Sequence, residues 1–186
     1  LIHLPVQSGS NKILKLMNRK HVIKDYLQIY EKLKKINNLI EFSSDFIIGY
    51  PGEDDNDFNE TFDLIKKIKF INSYSFIFSP RPGTIAGEHK LIDKKISIKR
   101  LEKIQNQLYE NQINMNKSLE DKIINVLVEN LAKDKTRLFG RSEYMTSVIF
   151  SGNKEDIGKI VPVKIKKSNR NNLFGETINN FDQKVA

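Results

Sequence analysis

The spacing of apolar residues predicts alternating strands and helices in the first part of the chain. Apolar side chains recur every three to four positions over Ile23–Ile36 and Asp54–Ile68, which is the helical period. Short apolar runs at Ile2–Val6, Phe42–Ile48 and Ser73–Phe78 are typical of buried strands. The order strand, helix, strand, helix, strand predicts parallel strands with helical crossovers, in an open sheet or in part of a barrel.

The pattern changes after a long polar helix that is predicted over Ile96–Asn116. Five shorter segments beyond it have the composition of strands with turns between them: Ile123–Leu131, Thr136–Gly140, Thr146–Phe150, Ile160–Ile165 and Leu173–Ile178. This set predicts a small all-β barrel or sandwich. Pro162 places the fourth strand at an edge, because proline cannot donate to a ladder. We therefore expect an α/β unit over residues 1–116 and a β unit over residues 117–186.

Three predicted loops lie at the C-terminal ends of the parallel strands, where chemistry gathers in such folds. They are Gln7–Asn11, Gly49–Glu53 and Pro80–Thr84. The second loop either brings backbone N–H groups close to a ligand or forms a tight turn between a strand and a helix. The three loops are expected on the same rim.

Several polar side chains are candidates for that rim. Asp45 lies within a strand pattern and needs a partner, which is either a ligand hydroxyl or the backbone of a neighbouring loop. Gln7 and Ser8 form a polar pair at a strand end, and Arg19 and Arg81 are candidate anion ligands. No acid–base dyad or nucleophile–base pair emerges from the spacing, so no catalytic residue is assigned.

The composition narrows the function classes. The net charge of +8, from 31 basic and 23 acidic residues, favours a polyanionic partner, although solvated surface lysines give the same balance. The sequence has no cysteine and its histidines are scattered, so no metal site is predicted. No apolar run reaches the ~18–20 residues that a membrane span requires, and the first residues do not form a signal peptide. We expect a cytoplasmic protein with no membrane partner.

The β unit is rich in basic residues. One group comprises Lys159, Lys164, Lys166, Lys167 and Arg170, and a second comprises Lys133, Lys135, Arg137 and Arg141. With Phe139, Tyr144 and Phe150 nearby, these residues fit RNA binding by phosphate contacts and base stacking. The alternative is a solvated face over aromatic side chains that belong to the core.

Four motifs resemble those of the methylthiotransferase branch of the radical-SAM enzymes. They are HLPVQSGS at His3–Ser10, MNR at Met17–Arg19, SSDFIIGYPGE at Ser43–Glu53 and SPRPGT at Ser79–Thr84. The β unit, with GRS at Gly140–Ser142 and LFGE at Leu173–Glu176, resembles the TRAM domain that ends these proteins. The likeness is greatest to the enzymes that act on isopentenylated adenosine in tRNA, although Phe78 stands where we expect a tyrosine.

The resemblance implies a fold and an activity. The chain would be the C-terminal part of a radical-SAM partial (β/α) barrel followed by a TRAM domain. The implied activity is methylthiolation at C2 of an isopentenylated adenosine next to the tRNA anticodon. One 4Fe–4S cluster cleaves S-adenosylmethionine to a 5′-deoxyadenosyl radical that abstracts the C2 hydrogen, a second cluster supplies sulfur, and a second S-adenosylmethionine supplies the methyl group.

The resemblance also implies roles for particular residues. S-adenosylmethionine would be bound by Gln7, Ser8, Arg19, Asp45, Gly49 and Gly52. Asp45 would accept from the ribose hydroxyls, Arg19 would fork onto the methionine carboxylate, and the glycines would give backbone access. The anticodon stem–loop of tRNA would be bound by Arg141, Lys159, Lys164, Lys166, Lys167 and Arg170.

The largest departure from the family is the absence of cysteine. The family's two sets of three cluster-binding cysteines precede the positions matched here, so we expect a truncated chain that is inactive alone. The full-length protein would be a monomer reduced by flavodoxin or ferredoxin. The alternatives are a stand-alone RNA-binding protein with a degenerate barrel, or a methylthiotransferase that acts on threonylcarbamoyladenosine tRNA or on a ribosomal protein.

Overall fold

A computed structural model describes residues 1–178 of the chain. The chain divides into two compact units, one formed by Ile2–Asn111 and the other by the residues from Gln112 onward together with Leu1. The end of the predicted second domain, residues 179–186, lies outside the described residues. Within residues 1–178, no helix combines the length and apolar character needed to cross a membrane.

The first unit alternates strands and helices in the predicted order. Its elements are β1 (Ile2–His3), α1 (Asn11–Leu16), α2 (Ile23–Ile36), β2 (Phe42–Ser43), β3 (Asp45–Ile48), α3 (Asp55–Ile68), β4 (Tyr74–Ile77), α4 (Ile85–Glu88) and α5 (Lys94–Ser118), the last of which continues into the second unit. β1 pairs with β2 and β3 pairs with β4, both in parallel. The predicted α/β class is therefore confirmed.

The run predicted as one strand over Phe42–Ile48 is divided at Ser44. The Ser44 hydroxyl accepts the backbone N–H of Val6 at 2.9 Å, and the Ser44 N–H donates to the hydroxyl of Ser73 at 2.9 Å. A side chain thus takes the Ser44 N–H, while the Ser44 carbonyl accepts the Tyr74 N–H at 3.1 Å, and β2 and β3 pair with different neighbours. A single strand was the wrong prediction here, because periodicity does not register such local hydrogen bonds.

The start of α3 follows the predicted acidic signal. The Asp54 carboxylate accepts the backbone N–H groups of Asn56 and Asp57 at 2.9 and 3.0 Å, and Asp57 accepts the Asp54 N–H at 3.0 Å. This reciprocal cap satisfies N–H groups that have no partner within α3. The apolar faces of α2, α3 and α5 then cover the strands around one core: Tyr26, Phe42, Phe46, Ile48, Phe58, Leu64, Ile65, Ile68, Phe70, Ile104 and Leu108.

The second unit is a closed barrel in which β-strands pair antiparallel except at one parallel pair. Its strands are β5 (Ile123–Leu131), β6 (Leu138–Ser142), β7 (Ser147–Ser151), β8 (Ile160–Ser168) and β9 (Asn172–Thr177), in the spatial order β5-β6-β7-β9-β8. Alternate residues fill the interior, among them Val126, Val128, Leu138, Val148, Phe150, Val163, Ile165 and Leu173. Phe150 is fully buried, so it belongs to the core and is not available for stacking.

The prediction that β8 is an edge strand was wrong. β8 pairs with β5 on one side and β9 on the other. The Pro162 carbonyl accepts the N–H of Ile178 at 3.2 Å, just past the end of β9. In an antiparallel pair, the N–H and C=O of one residue face the same neighbouring strand. The N–H that Pro162 lacks would therefore face the end of β9. Few hydrogen bonds between the strands are lost there.

Gly140 lies where β5 and β6 approach each other closely. A Cβ at this position would overlap the carbonyl oxygen of Leu127 and lie 2.7 Å from Val126 Cγ1. A backbone atom cannot rotate away, so β5 and β6 can wrap this tightly only with glycine here.

We expect Gly140→Ala to lower the free energy of unfolding by about 1–3 kcal/mol, because the added methyl group forces the strands apart. Urea unfolding followed by circular dichroism measures the loss. Gly152→Ala is the matched control, since its Cβ meets only the side-chain ends of Leu138 and Thr177 at 2.8 and 3.0 Å. Equal losses in the two variants would contradict the tight crossing.

Candidate functional site

One face of the β3–β4 pair is not covered by the core of the first unit. Phe46 and Ile48 point into that core, and the alternation of the strand sends Asp45 and Ile47 to the opposite face. Across the pair, Asp45 lies opposite Tyr74 and Ile47 lies opposite Phe76. The rings of Tyr74 and Phe76 remain 64% and 55% exposed, so this face offers a large accessible aromatic surface.

A cavity of about 430 Å³ opens at the C-terminal end of this face. Its walls combine apolar and aromatic groups with two arginines: Met17, Arg19, Ile47, Tyr50, Phe76, Ile77, Phe78, Ser79, Arg81, Thr84 and Ala86. The ring of Tyr50 meets the Phe78 ring edge to face at 4.9 Å, and its hydroxyl donates to the Leu16 carbonyl at 3.0 Å. The cavity thus suits a flat ligand that carries a negative group.

Arg19 lines this cavity, whereas the other predicted ligands of S-adenosylmethionine among the described residues do not. Gln7 is buried in a left-handed conformation with φ of 73°, and its backbone bridges Phe46. The Ser8 hydroxyl lies 3.2 Å from the Thr61 hydroxyl and receives the Ser10 N–H at 3.1 Å. Ser8 therefore fastens the loop to α3 and leaves no open hydroxyl on the rim.

The Gly49–Glu53 loop is a closed turn. Gly49 has φ of 72°, and a Cβ there would lie 2.6 Å from Ser97 Oγ, so only glycine fits. Its N–H is already used, because it donates to both carboxylate oxygens of Glu53 at 3.2 Å. Gly52, with φ of 88°, is exposed beside Leu16.

A buried ion pair holds this turn. Arg100 Nη1 donates to Glu53 Oε1 at 2.8 Å, and Nη2 donates to Asp55 Oδ1 at 2.6 Å. The side chains of Arg100 and Glu53 are only 9% and 2% exposed. Burial raises the pKa of Glu53 above its usual value, and the Gly49 N–H and the Arg100 charge oppose that rise. The pair therefore keeps a charged carboxylate at a site where water is excluded.

Asp45 has a partner that the sequence analysis missed. Its Oδ2 lies 3.4 Å from His3 Nε2, and His3 Nδ1 lies 2.8 Å from Ser43 Oγ. The Asp45 side chain remains 33% exposed, so it can also accept from a ligand. The sequence spacing puts Ser43 and Asp45 two apart in one extended segment, but only the β1–β2 register of the structure brings His3 opposite Ser43.

The basic residues predicted to bind RNA lie at different places on the barrel. Lys164 lies directly opposite Glu176 of β9, and Lys166 Nζ pairs with Glu176 Oε1 at 2.9 Å. Lys159 pairs with Asp156 at 3.3 Å. Arg170 lies in the β8–β9 turn, where its Nε donates to Asn171 at 3.1 Å, and Lys167 lies opposite Phe174.

Arg141 differs from these residues because it is on β6. Its guanidinium carbon is 5.6 Å from the centre of the Phe139 ring, and its Nε is 3.5 Å from Glu129. The six predicted residues therefore lie on β6, on β8 and in the turns at the two ends of β8. Within residues 1–178, no group of three or more histidine, aspartate or glutamate side chains is arranged to hold a metal ion.

Comparisons with known proteins match both units. The radical SAM superfamily profile matches residues 1–65, and the TRAM domain profile matches residues 117–178. Residues 1–65 are therefore similar to part of a radical SAM domain, and residues 117–178 are similar to a TRAM domain. Within that class, its particular resemblance is to the proteins named tRNA-2-methylthio-N(6)-dimethylallyladenosine synthase.

Three of these relatives illustrate the match. The protein from Pelagibacter ubique (strain HTCC1062) is 67% identical over 186 residues, which are 100% of this chain and 42% of that protein. The proteins from Ruthia magnifica subsp. Calyptogena magnifica and Wolbachia pipientis wMel are 44% and 42% identical over 95% and 94% of this chain, each over 40% of its own length. The chain thus spans about two fifths of the length of the curated relatives it matches.

We expect Arg100→Leu to lower the free energy of unfolding by about 3–5 kcal/mol near neutral pH, because it leaves the Glu53 charge buried and unpaired. A carboxyl whose pKa is higher in the folded state than in the unfolded state favours folding as the pH falls. The deficit should therefore shrink on acidification. Chemical unfolding at several pH values measures it.

The double variant Glu53→Gln/Arg100→Leu is the control, since it buries no charge. Its deficit relative to the unaltered chain should be smaller and should depend less on pH. A pH-independent deficit in the single variant would show that the unpaired Glu53 charge is not the cause.

Proposed function

We propose that this chain is part of a tRNA methylthiotransferase that acts at C2 of an isopentenylated adenosine next to the anticodon. The observation that carries the proposal is the 67% identity, along the whole chain, to a protein named as such a synthase. The two units support it, because a radical SAM segment with a charged rim cavity precedes a basic TRAM barrel. We also propose a cytoplasmic location, where tRNA is available.

The cavity fits S-adenosylmethionine in size and chemistry. Arg19 would fork onto the methionine carboxylate, and the walls formed by Ile47, Phe76 and Phe78 would exclude water from the adenosine. Asp45 would accept from the ribose hydroxyls, with His3 fixing its carboxylate from the other side. When bound, S-adenosylmethionine supplies the 5′-deoxyadenosyl radical and the methyl group of the reaction.

The other predicted ligands would mainly determine the shape of the cofactor site. Gln7 and Ser8 would hold the rim loop against β3 and α3, and the Gly49 turn would set the position of Tyr50. Gly52 is exposed and would still permit a ligand to approach its backbone. These residues are therefore proposed as supports of the cofactor site, with Arg19 and Asp45 as its charged contacts.

Iron–sulfur clusters do not fit the residues of this chain. Such clusters are held by cysteine thiolates, and the 186 residues contain no cysteine. The two 4Fe–4S clusters of the proposed enzyme would need ligands from beyond these residues, and a flavodoxin or ferredoxin would reduce them. This chain would supply the rim that binds and orients S-adenosylmethionine and the barrel that contacts tRNA.

We expect activity only when the chain is joined to cluster-binding sequence. The proposed test fuses it to the preceding part of the Pelagibacter ubique relative, reconstitutes the clusters and supplies isopentenylated tRNA. Nucleoside mass spectrometry should detect the 2-methylthio product with the fusion and none with the 186 residues alone. A cluster-loaded fusion that forms no product would contradict the proposed function.

In the same fusion, Arg19→Ala should raise the KM for S-adenosylmethionine by about 10- to 100-fold, the usual range for a lost hydrogen bond to a charged group. Lys20→Ala is the matched control, because Lys20 is an exposed cation next in sequence and does not line the cavity. Equal effects of the two variants would remove Arg19 from the cofactor site.

A second expectation concerns tRNA binding. Replacing Lys164, Lys166 and Lys167 by glutamine should weaken binding and flatten its salt dependence, by up to about one unit of slope per lost phosphate contact. Lys166 should contribute least, because it is paired with Glu176. Binding titrations at several salt concentrations give the slope.

The control for this triple variant lies in the first unit. Lys24, Lys32 and Lys35 are exposed on α2, and their replacement by glutamine removes the same total charge. The slope of this control should stay close to that of the unaltered chain. An equal change in both variants would mean that only net charge matters and that the β8 lysines are not phosphate contacts.

A further inference from the structure

A row of side chains crosses the outer surface of the barrel. The register places Phe139 of β6 beside Ile149 of β7, Ile149 beside Phe174 of β9, and Phe174 beside Lys167 of β8. Their sequence neighbours Leu138, Val148 and Leu173 are buried in the barrel, so the row points outward. Phe139, Ile149 and Phe174 are partly exposed, and Lys167 is exposed. We call this the outer row.

A depression of about 720 Å³ lies over one end of the outer row. Phe139 and Ile149 contribute apolar surface to it. The remaining lining comes from the end of β5, the β5–β6 loop and the start of β9: Glu129, Asn130, Leu131, Ala132, Lys133, Asp134, Arg137 and Asn172. The side-chain Oδ1 of Asn130 accepts the Leu131 N–H at 2.8 Å, and the NH₂ group of the same amide can donate to a ligand. This volume is within the range of pockets that bind small organic groups.

The charges around the depression favour an anionic ligand that carries a ring. Its two acids are each engaged by an arginine: Asp134 by Arg137 at 2.7 Å and Glu129 by Arg141 at 3.5 Å. In the described part of the chain, Lys133 has no ion pair to offset its charge. Arg141 also lies against the Phe139 ring, so aromatic and cationic surfaces adjoin.

We propose that the outer row and its depression receive unpaired bases of an RNA loop. An unpaired base would stack on Phe139, an amide would meet its edge, and Lys133 and Lys167 would contact phosphates. Paired bases in a duplex have both faces covered, so an aromatic surface gains little from them. The assignment rests on the proposed tRNA-binding function, and it places recognition of the loop on β6, β7 and β9.

The test compares two RNAs and two variants in the 186-residue chain. Phe139→Leu keeps an apolar side chain and removes the ring, so it should weaken binding of a fluorescein-labelled anticodon stem–loop about tenfold. It should leave the affinity for a blunt duplex of the same stem unchanged. Fluorescence anisotropy measures both affinities, and circular dichroism checks the fold.

Phe62→Leu is the matched control in the first unit. Phe62 is a partly buried aromatic ring with the Lys103 ammonium 4.3 Å from its centre, so the substitution makes the same change beside a cation. It should alter neither affinity. Phe174→Leu, on the outer row, should reproduce the selective loss on the stem–loop, and it takes the place of Phe139→Leu if that variant does not fold.

The outcomes separate this proposal from the proposed function. Unchanged stem–loop binding by folded outer-row variants, as expected if the depression receives a protein side chain instead, would overturn the surface assignment and leave the tRNA role intact. Equal weakening for stem–loop and duplex would overturn base stacking. Failure of the unaltered chain to bind either RNA would overturn its proposed contribution to tRNA binding together with this surface.

Discussion

The geometry of the rim depends on one buried carboxylate. Glu53 accepts the N–H of Gly49 with both oxygens and is paired with Arg100 from α5. The group therefore connects the turn after β3 to the start of α3 and to a helix distant in sequence. Because an unpaired charge at this depth is costly, the turn cannot relax without losing the whole arrangement. Tyr50 follows directly in this turn, which sets its ring against Phe78 at the wall of the cavity.

Burial of the Glu53 charge also separates the arginines of the first unit into two groups. Arg100 is nearly enclosed and fully committed to Glu53 and Asp55, whereas Arg19 and Arg81 are exposed at the cavity. A buried guanidinium that already holds two carboxylates cannot turn to a ligand. The exposed pair can, and this division of roles is the reason to assign anion recognition to Arg19. Apolar walls with a few charged side chains are a common arrangement in ligand sites.

The regular elements could be predicted from the sequence because periodicity and capping act locally. Ile23–Ile36 and Ile123–Leu131 have the predicted bounds, and α3 begins where its acidic residues indicated. The failures are at positions where a distant partner decides. Ser44 divides a strand because its hydroxyl accepts from Val6 and its backbone N–H donates to Ser73. Pro162 occupies a strand that is paired on both sides because β9 ends beside it. These partners are too distant in sequence to be recognised from a short segment.

The candidate sites show the same limit for side chains. His3 could be read only as a scattered histidine until the β1–β2 register placed it beside Ser43 and within 3.4 Å of Asp45. The basic run of β8 looks uniform in sequence, yet strand alternation and pairing give its lysines different surroundings. Lys166 faces an acid, whereas Lys167 adjoins an aromatic ring. Charged residues can be counted from the sequence, but whether a lysine is available to a phosphate depends on its neighbour on the adjacent strand. The register therefore moves the stronger case for RNA recognition from the lysine run to the outer row.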